Sequence, residues 1–194
     1  MDRSRLTFLA GAAFAEGASA EALVGGSRRS FPNPLLVTHA GRKVRFYDDL
    51  VRGRFVFLTF AYTRCEGKCP ASLSRLLEAR ALVAPRLGHA PDLVTLTLDP
   101  EHDTPEALAR YVAAHGAPAG WTCVTGVPAD LERLRRFLGF TDPDPRVDAD
   151  RSQHGALVAM GNDRTGRWQV ASTAAGPEQI ALLALRTAGL RPTA

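Results

Sequence analysis

The segment RFVFLTFAY, residues 54–62, is almost continuously apolar and rich in residues that favour strands. Such a run suits a central strand covered on both faces rather than a half-exposed one. It stops at Tyr62. Two cysteines follow, Cys65 and Cys69, with three residues between them, and then Pro70 and a helical pattern over 71–87. Leu73, Leu76, Leu77, Val83, Ala84 and Leu87 recur at spacings of three and four and mark one apolar helix face. The chain therefore places two thiols on the turn from a buried strand into a helix. In open α/β sheets this position, beyond the carboxyl end of a strand, is where ligand sites lie.

The rest of the chain alternates in the same way. LLVTHAGRKVRF (35–46) reads as a hairpin turning at Ala40-Gly41, and DLVTLTL (92–98) as a second core strand. DTPE (103–106) opens a helix with an Asp or Thr cap and an early proline, ending near His115-Gly116. A short strand at 121–124 and a helix at 128–138 follow. TDPDPRVDADRSQ (141–153) is a polar loop delivering the chain to His154. GALVAM (155–160) and RWQVAS (167–172) form a second hairpin, and a last helix runs from near Pro177 to Gly189. Strands alternating with helices, then a hairpin and a helix, give an α/β fold: a thioredoxin-like mixed sheet flanked by helices, with an N-terminal hairpin extension. The 194 residues, 45% of them hydrophobic, suffice for one such domain, assigned to 35–190.

Ahead of it, residues 1–20 read as a cleaved export signal. Arg3 and Arg5 precede an apolar stretch of ten residues, Leu6–Ala15, and Ala18-Ser19-Ala20 supplies small residues for cleavage. Ten residues are too few to span a bilayer, which takes about 20, so a soluble periplasmic protein with no stable membrane span is expected. Residues 21–34, rich in Gly, Ser and Pro, read as a flexible lead-in. The net charge of +4 is scattered, apart from Arg133, Arg135 and Arg136, with no basic stripe interleaved with aromatics. That argues against nucleic acid as a partner.

Three cysteines are too few for a disulfide scaffold, so the close pair reads as chemical and Cys123, in WTCVTG, as a small core residue. Residues four apart on a helix share a face, so Cys65 and Cys69 suit either a reversible disulfide or a two-sulfur grip on a soft metal. The amides of a helix start favour thiolate in both cases. Thioredoxin-like reductases space their cysteines by two residues, not three. Two thiolates would leave Cu(I) in need of a third ligand, which a distant histidine can supply. Of the five histidines, His39, His89 and His115 read as surface or helix-end residues and His102 as a loop residue beyond a strand. His154 stands out, because it follows the long polar loop and immediately precedes an apolar strand. Asp99 ends a strand on the cysteines' side of the sheet, where it would tune the site, meet a partner or simply form the turn before Pro100. Met160 shares strand parity with His154 and reads as core.

FAYTRCEGKCPASLSRL, LTLDPEHDTPEALARYVAAHGA, WTCVTG and a later histidine before GALVAMGND occur in this order. Together they resemble the Sco/SenC family of thioredoxin-like copper proteins over roughly residues 35–188. The resemblance implies that Cys65, Cys69 and His154 bind one copper ion per chain, as Cu(I), Cu(II) or both. It implies a copper chaperone that delivers the metal to the dinuclear copper A site of cytochrome c oxidase, or reduces that site's cysteines. The partner would be the copper-bearing oxidase subunit or another copper chaperone. One departure is Glu66, which stands where the family usually has proline after the first cysteine. The competing reading is a thiol–disulfide oxidoreductase or peroxidase of the same fold, which would leave His154 without a role.

Overall fold

The computed structural model describes residues 31–65, 67–150 and 157–190. Seven strands form one mixed sheet: β1 (Leu35–Thr38), β2 (Lys43–Arg45), β3 (Phe55–Ala61), β4 (Asp92–Thr97), β5 (Trp121–Gly126), β6 (Leu157–Asn162) and β7 (Arg167–Ser172). Their spatial order is β2-β1-β5-β4-β3-β6-β7. β3, β4 and β5 are parallel, and β1, β6 and β7 join antiparallel. The helices are α1 (Lys68–Leu87), α2 (Pro105–Ala114), α3 (Pro128–Phe137), α4 (Pro145–Ala149) and α5 (Pro177–Thr187).

The apolar run at 54–62 is explained by two cores. Phe55 and Phe57 enter one with α1, α2 and α5, together with Leu76, Val112, Met160 and Ile180. Val56 and Leu58 enter the other, on the opposite face, with the N-terminal hairpin and α3. Alternate side chains of β3 thus serve opposite layers, and none of Val56, Phe57 and Leu58 has any exposed surface. Met160 pairs with Phe57 across the sheet and is fully buried. Its sulfur is core packing, and so is Cys123. At Gly161 the Trp168 ring of β7 lies so close that a Cβ would sit 2.2 Å from it. Only glycine lets this ring lie flat on the sheet.

The structure departs from the sequence reading in four places. Helix α1 begins at Lys68, three residues early, because Pro70 falls in the first turn, where a backbone N–H has no helical acceptor to lose. Cys69 is therefore a helical residue. The polar loop contains α4, where the Asp144 side chain accepts from Arg146 N–H and Pro145 takes the first position. Asp148 of that helix receives two bonds, 2.6 and 2.7 Å, from the buried Arg135 of α3. A π-helical turn, Phe46–Val51, follows β2 and buries Phe46, Leu50 and Val51. Lastly, residues 31–34 of the lead-in are anchored. The Phe31 ring lies 4.9 Å from both Phe137 and Trp168, and Asn33 Oδ1 accepts from Tyr47 N–H at 2.9 Å. The expected signal (1–20) and the remainder of the lead-in lie outside the described residues. Among the described residues, no helix is long and apolar enough to cross a membrane.

Candidate metal centre

β3 ends at Ala61, and the turn that follows is closed by a bond from Cys65 N–H to Tyr62 C=O at 3.2 Å. Four residues on, Cys69 occupies the first turn of α1. Both thiols are half-buried, and neither forms a disulfide. The two side chains are hydrogen-bonded to one another, so the sulfurs are neighbours.

Their surroundings make them unequal. Partial burial pushes the Cys65 thiol up. Hydrogen bonds from the Cys69 side chain, the backbone of Cys69 and Gly67, and the Tyr62 hydroxyl outweigh that and hold it below the ordinary thiol range. Deeper burial pushes Cys69 up to about 12, helped by its bond to Cys65 and by the nearby charges of Cys65 and Asp103. Tyr62 is itself raised, first by burial and then by the Cys65 charge, so its hydroxyl stays protonated and able to donate. The pair thus gives up its first proton from Cys65.

This asymmetry predicts selective alkylation. With iodoacetamide at neutral pH, Cys65 takes the label before Cys69. Cys123, fully buried and pushed up to about 12 by that burial, takes it last. A lowered pKa means more thiolate at a given pH, so the Cys65 rate should level off below the usual thiol midpoint of about 8.5. Peptide mass spectrometry follows the order. Labelling of Cys69 first would contradict it.

The turn after β4 packs directly against the cysteine loop. Asp99 is buried, and its carboxylate accepts from Arg64 at 2.7 Å and from His102 Nδ1 at 3.0 Å. It therefore faces the residue next to Cys65, on the sheet edge expected from its place in the sequence. Asp99, Glu101 and His102 bring ligand atoms within 4.8 Å of one another, although the Arg64 guanidinium already occupies the Asp99 carboxylate. Four residues on, Asp103 is fully buried and accepts from Thr63 N–H, the Thr63 hydroxyl and the Thr97 hydroxyl. In the sequence Asp103 and Thr104 are alternative helix caps. That task falls to Thr104, whose hydroxyl accepts from Ala107 N–H. The aspartates spaced four apart in DPEHD are the one sequence signal that could have revealed the arrangement.

The other described histidines serve the scaffold. His39, expected at the surface, is half-buried: its N–H donates to Cys123 C=O, and its Nδ1 accepts from Cys123 N–H. His115 donates from Nδ1 to Tyr111 C=O, while His89 is exposed. His154 lies outside the described residues. The chain on either side is placed: the Asp150 charge is felt at Tyr62, and Leu157 C=O accepts the Thr59 hydroxyl at 2.9 Å. Because β6 runs antiparallel to β3, its first residues lie at the carboxyl end of β3, where the cysteines are.

The SCO1/SenC sequence profile matches residues 32–185. The human mitochondrial SCO1 homologue is 32% identical over 147 residues, covering 71% of this chain and 47% of that protein. The chain spans less than two thirds of the length of the curated relatives it matches first. Among solved structures, copper-bound ScoI of Bradyrhizobium japonicum superposes with a TM-score of 0.61 at 24% identity, over 81% of this chain and 99% of that one. BsSco, a member of the Sco family of cytochrome c oxidase assembly proteins in which a disulfide switch has been identified, gives 0.63 at 16% identity, over 82% and 93%. The sheet order, the cysteine pair at its edge and the profile match over most of the domain agree: this chain belongs to the SCO1/SenC family.

Proposed function

We propose that the chain is a copper chaperone that holds one copper ion through Cys65, Cys69 and His154 and hands it to the copper-bearing subunit of cytochrome c oxidase. The observation that carries this reading is the pair of free, mutually hydrogen-bonded thiols on the edge of the sheet, one of them poised to ionise. Soft thiolates suit Cu(I), and each must lose its proton to bind it. The half-buried position lets a partner's ligands approach, so copper, here the cargo, can leave by stepwise ligand exchange. Support for His154 comes from chain length: it stands three positions before Leu157, a reach of at most about 11 Å. The copper-bound Sco relatives and the oxidase-assembly role of BsSco agree with this reading. The same two thiols can close to a disulfide by losing two protons and two electrons, which supports reduction of a target's cysteines as a second activity of the site. Export to the periplasm is supported by the basic residues, apolar stretch and small residues at 1–20.

The histidine separates these roles. Two thiolates can retain Cu(I) in two-coordinate form even though a third ligand completes its site, whereas Cu(II) calls for additional nitrogen or oxygen donors. His154→Ala should keep most of the Cu(I) affinity and lose far more for Cu(II), while leaving disulfide formation intact. Competition titrations of both copper states, with stoichiometry and thiol counts, test this. Wild type should take up one equivalent of copper. Equal binding of both states by wild type and His154→Ala would remove the histidine from the site and leave the oxidoreductase reading.

A further inference from the structure

We propose that Asp103 is the positioning residue of the cysteine loop, fixing the separation of the two sulfurs through its hydrogen bonds to Thr63. The inference rests on the reading of Cys65 and Cys69 as the working thiols. Asp103 has no exposed surface. One carboxylate oxygen accepts the Thr63 hydroxyl at 2.5 Å; the other accepts the Thr97 hydroxyl at 2.5 Å and Thr63 N–H at 3.2 Å. It thus ties the chain two residues before Cys65 to the last residue of β4. Its own N–H donates to Asp99 C=O at 2.8 Å, closing the turn from which it reaches.

Two features set Asp103 apart from ordinary scaffold. It does not cap α2, because Thr104 does. Among the described residues its side-chain hydrogen-bond partners are neutral hydroxyls and an amide, and a buried carboxylate held by neutral groups is a costly way to fix a loop. Sequences break such rules mainly at functional sites. The geometry supplies the function. Thr63 sits in the turn that Cys65 N–H closes onto Tyr62, so fixing Thr63 fixes the first sulfur. Cys69, on α1, moves as part of that helix. Without the clamp, the span between strand and helix can open, and both disulfide closure and two-sulfur metal binding lose a preset distance.

The test compares variants of the full chain by two readouts. The first needs no metal. At equilibrium with glutathione, Cys65 and Cys69 lose two protons and two electrons to glutathione disulfide, forming one S–S bond and releasing two glutathione thiols. The second is Cu(I) affinity. Asp103→Ala should disfavour the protein disulfide and weaken Cu(I) binding, each by about ten-fold or more, as for lost residues that support a ligand. Asp103→Asn, which keeps an acceptor for Thr63 N–H but no charge, should retain most of both. Thr63→Ala should shift both in the same direction and Thr63→Ser should restore them. This half-buried threonine keeps the test open if Asp103→Ala does not fold. A folded Asp103→Ala or Thr63→Ala that matches wild type in both readouts would overturn the proposal. So would Asp103→Asn behaving as Asp103→Ala, because charge rather than position would then be at work. Wild type that bound no copper would count against the chaperone reading, while the glutathione equilibrium would still decide the clamp.

Discussion

Replacing Cys65 or Cys69 with serine should abolish tight binding of copper in either oxidation state. The two sulfurs are neighbours at the strand–helix turn, and each is expected to supply one of the two thiolates. Serine's hydroxyl is hard and does not ionise near neutral pH, so the substitution removes a soft donor and an anion together. The loss should exceed the roughly 10–100-fold typical of a residue that only supports a ligand. Both serine variants should fold, because neither cysteine belongs to the buried cores. Competition against a chelator of known affinity, alongside circular dichroism, measures this. Tight binding retained by either variant would take that cysteine out of the site.

The second large effect is on stability. Phe57 lies at the middle of β3, has no exposed surface, and meets Phe55 edge to face at 6.0 Å. It joins α1, α2 and α5 to the sheet. Phe57→Ala removes an aromatic side chain from a close-packed site and should cost about 3–5 kcal/mol. For a domain of this size the melting temperature should fall by on the order of 10 °C. Although Phe57 stands on the strand that leads into the cysteine loop, it packs in a core that includes neither Cys65 nor Cys69, so copper affinity measured below the transition should change much less than stability. Urea unfolding monitored by tryptophan fluorescence gives the comparison. A loss under about 1 kcal/mol would show that this core tolerates the cavity.

Much of this architecture is legible in the chain. A strand apolar on both faces has to sit inside a layered sheet, and 54–62 could be assigned on that ground alone. The apolar face of α1 follows from residues recurring at spacings of three and four, the start of α2 from its cap and early proline, and WTCVTG reads as a core strand because nothing in it is charged. The failures share a cause: they depend on contacts distant in sequence. DTPE offers Asp103 or Thr104 as the helix cap, and only tertiary structure leaves the cap to Thr104 and turns the Asp103 carboxylate towards Thr63, 40 residues earlier. His39 looks like a hairpin surface residue until Cys123 pairs with it from β5. The loop around α4 is polar in composition, yet Asp148 is held by Arg135 from another helix. The cysteine pair was legible because its spacing is local, whereas His154, singled out by its place before an apolar strand and by the family resemblance, lies outside the described residues.

The proposed centre holds copper by two sulfurs and one imidazole nitrogen from this chain. Copper X-ray absorption of the protein loaded with one equivalent of Cu(I) tests it most directly. The expected spectrum has two sulfur donors and one nitrogen donor, with the nitrogen lost in His154→Ala and the sulfurs unchanged. Fewer than two sulfurs in the wild-type spectrum, or a nitrogen that persists in His154→Ala, would contradict the account.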